Sequence, residues 1–448
     1  MESFIVDGGV ELRGHTTLAG AKNVALKALV ASILTDEQIV LRNVPDIRDV
    51  ALMLKVLQSL GLQTQYSDHT ATVTCGTKRN SVVPLEIGAR LRTSSMVLGP
   101  LLARYGEAKI PNPGGCRIGA RPINRHIEAL EKMGATIRYD SKDGFFHAHA
   151  LSLHGTTIRF PKNTHTGTET ILLAAVMAQG RTTIDNAAQE VEVDNLIALL
   201  TAMGAHIKRV APRTIIVDGV TKLNGADFTI MPDRNEEITF AIAAALTDGK
   251  ITVEGSQRNA INAFLTAFRG AGGAVDIESA TRTSYSRGRQ LKASDTVTLP
   301  HPGFMTDWQA PWAVLMTQAE GTSTIHETIF ESRFSYVYQL QKMGANISFF
   351  DPKIENPQAY YNFNWNDHTN DHHQGIRIAG PTQLHNAILE MDDLRAGATL
   401  LLAALAAKGQ SIIFGIEQID RGYETIEIKL RKLGAKISRQ TEDTRDAK

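Results

Sequence analysis

The sequence predicts an α/β protein of two domains, each built from three copies of a unit of about 70 residues. One phrase recurs six times: Leu57-Gln-Ser-Leu-Gly61, Leu130-Glu-Lys-Met-Gly134, Leu200-Thr-Ala-Met-Gly204, Phe268-Arg-Gly-Ala-Gly272, Leu340-Gln-Lys-Met-Gly344 and Leu430-Arg-Lys-Leu-Gly434. Each reads as the end of an amphipathic helix, with glycine at a left-handed cap and an alternating strand such as Thr136-Ile137-Arg138-Tyr139 after it. The glycines lie 73, 70, 68, 72 and 90 positions apart, and spacing of that regularity marks internal repeats. The length of 448 residues suits two or three domains at about 150 residues each.

Between these phrases lies a second recurring pair. A helix rich in alanine and leucine ends near Gly106, Gly180, Gly249, Gly321 and Gly409, and a short β-branched strand follows, as in Thr182-Thr183-Ile184 or Ile251-Thr252-Val253. The first copy replaces the glycine with Thr35-Asp36-Glu37. Each unit therefore reads helix, strand, turn, helix, strand and further strand, with the small-residue helix buried on all sides and the second helix half exposed. Three such units close around one core of buried helices, which places one domain at 21–230 and the other at 1–20 plus 231–440. Residues 441–448 are polar and read as a flexible tail. The long last spacing comes from an insertion near 349–375. It is rich in Asn, Asp and His but has no metal-ligand spacing, and it reads as a solvated loop.

Lys plus Arg and Asp plus Glu are balanced at 47 each, so no global charge recruits nucleic acid or an anionic membrane. Local arginine clusters must carry any anion recognition. Two cysteines, Cys75 and Cys116, are too few for a disulfide framework and suit a reducing compartment. No signal peptide is read at Met1–Gly8, and the apolar run Ala396–Ala407 is too short to span a bilayer. The expectation is a cytoplasmic protein.

The most unusual polar residues fall at two equivalent places in each unit. One is the start of the buried helix: Lys22-Asn23, Arg92, Thr166 to Thr168, Asp233-Arg234, Asp307 and Arg395. The other is the turn after the short strand: Arg48-Asp49, Cys116 with Arg121, Glu190, Glu327 with Arg333, and Asp420-Arg421. Helix starts offer free N–H donors and the positive end of the dipole, so a cleft lined by them suits an anion. Capping accounts for Asp233, Asp49 and Thr168. It does not account for Lys22, Arg92, Arg121, Arg395 and Arg421, because cations oppose the dipole there. Five such cations call for a ligand of high negative charge. Cys116 lies in the Pro- and Gly-rich stretch Pro111–Pro122 between paired glycines and arginines, which favours an exposed loop and a thiolate-prone sulfur.

Seven motifs, in order, resemble the enolpyruvyl transferases from Phe4 to Ile437: Leu18–Asn23, Pro113–Pro122, Met231–Arg234, Phe304–Gln309, Phe330–Phe334, Asp393–Arg395 and Ile419–Tyr423. The Gly-Gly-Cys-Arg loop is the mark of the branch that acts on UDP-N-acetylglucosamine, and the branch that acts on 3-phosphoshikimate lacks it. The resemblance implies an inside-out α/β barrel in two domains, of the EPSP synthase type, closing over its substrates. It implies transfer of the enolpyruvyl group of phosphoenolpyruvate to the sugar 3-hydroxyl with loss of phosphate, the first committed step of peptidoglycan synthesis. Lys22, Asn23, Arg92, Arg121, Arg395 and Arg421 are then expected on phosphoenolpyruvate. The nucleotide sugar is expected to meet Asn23, Arg92, Arg121, Pro122, Asn124, Arg125, Lys162, Thr164, His165, Asp307, Ile329 and Arg333. Asp307 corresponds to the base at the 3-hydroxyl, and Cys116 to the acid at the methylene carbon and the target of the epoxide fosfomycin. Lys22 and Arg395 complete the catalytic set. No cofactor and no metal are implied, and a monomer is expected. Asn124 and Arg125, and Thr164-His165-Thr166, depart from the family's usual residues around the uridine. These departures leave open another nucleotide sugar, a phosphorylated carbocycle, or a silent regulatory paralogue, although Cys116, Asp307 and Arg395 together argue against silence.

Overall fold

A computed structural model describes residues 2–76, 79–114, 119, 121–391 and 393–441. The chain divides into two compact units: an amino-side unit, Gly20–Gly115 with Arg121–Met231, and a carboxy-side unit, Met1–Ala19 with Pro232–Lys448. Each has its own hydrophobic core.

In the amino-side unit the buried helices are Lys22–Ala31, Leu98–Tyr105 and His165–Ala175, and the outer helices are Arg48–Ser59, Asn124–Lys132 and Val191–Ala202. Three sheets flank them. One runs Ala226–Thr229, Ile39–Arg42, Thr70–Cys75, Leu62–Ser67. The next runs Glu107–Pro111, Phe145–His149, Thr136–Asp140, and the third His206–Ala211, Thr214–Asp218, Arg181–Asp185, Thr157–Arg159. Most residues of these helices are buried whichever way they face, and Ala, Leu, Val and Ile predominate past the first turn, so little of each helix is offered to water.

The carboxy-side unit repeats the plan. Its buried helices are Arg234–Leu246, Thr306–Thr317 and Leu394–Ala406, and all thirteen residues of the first are buried. Asn262–Gly270, Tyr336–Lys342 and Ile426–Lys432 lie outside them. In the sheet Ile388–Glu390, Gln410–Phe414, Glu2–Asp7, Lys436–Thr441, the amino-terminal strand lies between two carboxy-terminal ones, with Ile5 opposite both Ile412 and Ser438. Where a strand, a buried helix and a second strand follow in sequence, as at Thr157–Arg159 to Arg181–Asp185 or Ile388–Glu390 to Gln410–Phe414, the two strands pair in parallel across the helix.

The six repeat glycines all adopt left-handed φ: Gly61 94°, Gly134 100°, Gly204 98°, Gly272 105°, Gly344 88° and Gly434 103°. The helix stops there because only glycine takes that conformation without strain, and the chain turns into the outer strand. The last described strand ends at Thr441, and the expected tail from Glu442 lies outside the described residues.

The insertion corrects the expectation of a solvated loop. Between Asn346–Phe350 and Gly375–Gly380 it forms a short helix, Pro357–Tyr360, and a 3-10 turn, Trp365–Asp367. Tyr361 and Phe363 are buried, and Tyr361, Trp365 and His368 stack in series at 4.9 and 4.1 Å between ring centres. Four aromatic residues within six positions, 360 to 365, bury enough apolar surface to order a segment whose Asn and Asp content alone would leave it solvated.

Two glycine substitutions should move stability in opposite directions. At Gly434 a methyl group meets nothing closer than 3.5 Å, so Gly434→Ala isolates the backbone penalty and should lower unfolding free energy by about 1–2 kcal/mol. Gly270 ends an outer helix without positive φ and with open space around it, so Gly270→Ala should stabilise by up to about 1 kcal/mol. Urea midpoints check both, and equal shifts of the same sign would contradict the cap assignment.

Candidate active site

In the carboxy-side unit the charged residues converge on one carboxylate. Asp307 lies in the first turn of the buried helix Thr306–Thr317. Arg333 Nη2 donates to its Oδ1 at 2.8 Å, and Arg395 donates to its Oδ2 from Nε at 3.3 Å and Nη2 at 3.1 Å. Arg395 is the second residue of the helix Leu394–Ala406, where Asp393 is the cap, accepting from the Arg395 and Ala396 N–H groups at 2.7 and 3.1 Å. The cap holds the helix start and frees the arginine to reach outward. Arg395 Nη1 also donates to Tyr423 Oη at 3.3 Å, and that hydroxyl bonds Thr239 Oγ1 at 2.8 Å. Burial, the largest single effect, disfavours the charged guanidinium, but Asp307 together with Tyr423 and Asp233 outweighs it and raises the Arg395 pKa above its ordinary value.

Around this pair, Glu327 shapes the following turn. Its carboxylate accepts from Ile329 N at 2.7 Å, Phe330 N at 3.1 Å and Thr306 Oγ1 at 2.8 Å, and burial pushes its pKa up. That fixes half-buried Ile329 and the approach of Arg333. Arg421 ends the 3-10 turn Ile416–Arg421 and donates to Gln418 Oε1 at 3.3 Å. Its neighbour Asp420 is gripped by Arg439 at 2.6 and 3.0 Å.

In the amino-side unit, Lys22 opens a buried helix and pairs with Asp49 at 2.7 Å, both side chains largely enclosed. Asp49 is thus a counter-ion in the first turn of its helix, which corrects its reading as a cap. Thr168 is corrected in the same way: Thr164 caps the helix by accepting from Gly167 N at 3.2 Å, while the Thr168 hydroxyl donates to Thr164 O and accepts from Ala188 N. Asp233 is a cap, accepting from Asn235 N at 2.7 Å. Half-buried Asn23 follows Lys22 in the helix. Arg92 donates to Pro113 O at 3.4 Å and to Arg121 O, and burial with the Arg121 charge lowers its pKa to about 10, so it stays cationic at neutral pH. Arg121 has a left-handed φ of 46° and leads through Pro122 to the helix that Asn124 begins. Arg125 donates to Asn163 O at 3.3 Å, and burial lowers the pKa of both Arg125 and Lys162.

His165 Nε2 lies 3.1 Å from Glu169 Oε1, one turn along its helix, and Lys27 Nζ reaches the other oxygen at 3.2 Å. Burial disfavours the charged ring, but Glu169 outweighs it and raises the His165 pKa. Lys27 and Glu169 were not singled out in the sequence. Their signal was available, since a charge inside a helix buried on all sides must find a counter-charge. His126, by contrast, is driven down to about 4 by burial and Arg92, and its neutral ring meets Thr166 Oγ1 at 2.9 Å. Cys116 lies outside the described residues.

The family described as EPSP synthase (3-phosphoshikimate 1-carboxyvinyltransferase) matches residues 6–430. The chain belongs to the EPSP synthase family. Within that family it is 42% identical over 443 residues to the UDP-N-acetylglucosamine 1-carboxyvinyltransferase of Acidobacterium capsulatum, covering 98% of this chain and 96% of the relative. The enzyme of the same name from Lawsonia intracellularis is also 42% identical, over 99% of this chain and all of the relative. Among solved structures, the enolpyruvyl transferase NikO from Streptomyces tendae matches 99% of both chains with a TM-score of 0.86 at 23% identity, and EPSP synthase from Acinetobacter baumannii matches with 0.73 at 18%. Those two establish the family's fold here. No helix among the described residues is long and apolar enough to cross a membrane.

Glu169→Gln should expose what holds His165 charged. The ring should titrate above its ordinary 6.5 in the parent protein and below it in the variant, read from its NMR resonances. Because the folded value is raised, the stability owed to this pair is complete below pH 6.5 and is lost as pH rises through the folded value. An unchanged titration in the variant would contradict the pairing.

Proposed function

We propose that the chain is a UDP-N-acetylglucosamine 1-carboxyvinyltransferase, moving the enolpyruvyl group of phosphoenolpyruvate to the sugar 3-hydroxyl and releasing inorganic phosphate in the first committed step of peptidoglycan synthesis. The observation that carries the reading is the Asp307 carboxylate held between Arg333 and Arg395 at the start of a buried helix. Full-length identity to curated enzymes of that name supports the acceptor.

The chemistry follows from charge. Phosphoenolpyruvate brings a phosphate and a carboxylate on one carbon, and Lys22, Arg92, Arg121, Arg395 and Arg421 are the cations that stabilise them. Asp307 accepts the proton of the 3-hydroxyl as its oxygen bonds to C2, while Cys116 protonates the methylene carbon C3. The resulting tetrahedral adduct loses a proton from its new methyl group. The C2–O bond to phosphate then breaks, phosphate leaves, and an enolpyruvyl ether remains. Preorganised guanidinium groups stabilise the developing charge without reorganisation during the reaction. Asn23, Pro122, Asn124, Arg125, Lys162, Thr164, His165, Ile329 and Arg333 position the nucleotide sugar. Glu169 favours the protonated form of the His165 ring.

Phosphate release from phosphoenolpyruvate tests the acceptor. Turnover should appear with UDP-N-acetylglucosamine, and turnover with 3-phosphoshikimate alone would overturn the assignment. Asp307→Asn should lower kcat by about 100- to 10,000-fold with substrate binding retained, and near-normal turnover would remove Asp307 as the base. Mass spectrometry after fosfomycin treatment should find the adduct on Cys116 with activity lost. Preferential labelling of Cys75, or full activity after stoichiometric labelling of Cys116, would remove Cys116 as the acid.

A further inference from the structure

The insertion between Phe350 and Gly375 lines an open cavity of about 520 Å3 that the transferase chemistry does not use. Its wall carries Tyr361, Trp365 and His368, the aromatic series stacked on one another. Gln374, only 1% exposed, lines it too. Two buried polar atoms here have no hydrogen-bond partner among the described residues: Gln374 Oε1, an acceptor, and the ring nitrogen His368 Nε2. Burial lowers the His368 pKa, which favours the neutral ring. Unmade buried acceptors are costly, and native proteins leave few of them. Asp351 and Glu355 add two carboxylates to the lining against one cation, Lys353.

We propose that this cavity binds a small organic cation bearing N–H donors, of the amine or guanidine class. The unpaired Gln374 carbonyl oxygen calls for an N–H donor, and the exposed Asp351 and Glu355 carboxylates, the first already beside His373, favour positive charge at the cavity mouth. A pure hydrocarbon would leave the Gln374 oxygen unpaired, and an anion would face the two carboxylates.

The site also has a physical route to the Asp307 constellation. Gln374 Nε2 donates to Glu331 O at 2.9 Å, and the Gln374 carbonyl accepts from Glu327 N at 2.9 Å. The Asn362 N–H donates to Thr328 O at 2.8 Å. The insertion is therefore bonded to the segment 327–333, which ends in Arg333, the partner of Asp307. A donor on Gln374 Oε1 polarises the same amide that holds this segment, so occupancy biases the position of Arg333. This coupling rests on the proposed transferase reading, whereas the binding site does not.

Agmatine, which carries an amine and a guanidinium, is the probe, and n-butylurea is its neutral control. Titration of the full chain should give a saturable change in tryptophan fluorescence that Trp365→Phe abolishes, together with a rise in thermal midpoint that this variant retains. Asp351→Asn with Glu355→Gln should weaken agmatine by about tenfold or more. No saturable response below 10 mM, where about millimolar affinity or better is expected, an equal response to n-butylurea, or undiminished binding in the double variant would overturn the site. Saturating agmatine should also change kcat or KM for phosphate release by about twofold or more. Binding with unaltered kinetics would overturn the coupling, and absent turnover with agmatine still bound would count against the transferase reading alone.

Discussion

A helix with no face toward water must still satisfy its first N–H groups and the positive end of its dipole. Six buried helices in this protein meet that constraint, and the rest of the architecture arranges what stands at their starts. Asp233, Asp393 and Thr164 satisfy it internally as caps. The helix starts also carry Lys22 and Arg395, and Arg92 opens the 3-10 turn Arg92–Val97 that leads into Leu98–Tyr105. These cations gain nothing from the dipole and are compensated by other charges, those of neighbouring carboxylates and of the proposed substrates. The same burial that makes the core compact strengthens every charge interaction at its edge.

That setting explains why the charged groups come as networks. Asp307 would be an expensive carboxylate beside a buried helix without Arg333 and Arg395, and Arg395 would be an expensive guanidinium without Asp307 and Tyr423. Glu169 is fully buried and is balanced by His165 and Lys27. Arg333 and Arg395 reach Asp307, and Lys27 reaches Glu169, from other helices or loops of the same unit, so these pairings also fix how those elements pack. Polar groups with fixed positions are what a reaction with large charge changes needs, because they do not have to reorient as charge develops.

The repeat was legible because its signal is local: a left-handed glycine after an apolar-periodic helix can be read from five residues, and Gly61 and its five counterparts all adopt that conformation. The helix starts were legible from the mismatch between charge and dipole at Lys22, Arg92 and Arg395. Pairings were not, since Lys22 with Asp49 or Arg395 with Asp307 depends on which distant elements the fold brings together. Asp49 and Thr168 carried the residue types of caps but stand two and four positions past the capping residues Ile47 and Thr164, because the helices begin earlier than the residue types suggest. The insertion was misjudged because its Asn, Asp and His residues outnumber its aromatics, although the aromatics decide its packing.

The claim that these charges serve an addition followed by an elimination has one direct isotopic consequence. Protonation of the methylene carbon makes a transient methyl group, and loss of one of its three hydrogens restores the double bond, so solvent hydrogen enters the vinyl group of the product. With phosphoenolpyruvate and UDP-N-acetylglucosamine in D2O, mass spectrometry of the enolpyruvyl product should find deuterium at that carbon. Product formed without deuterium at the vinyl carbon would contradict the mechanism.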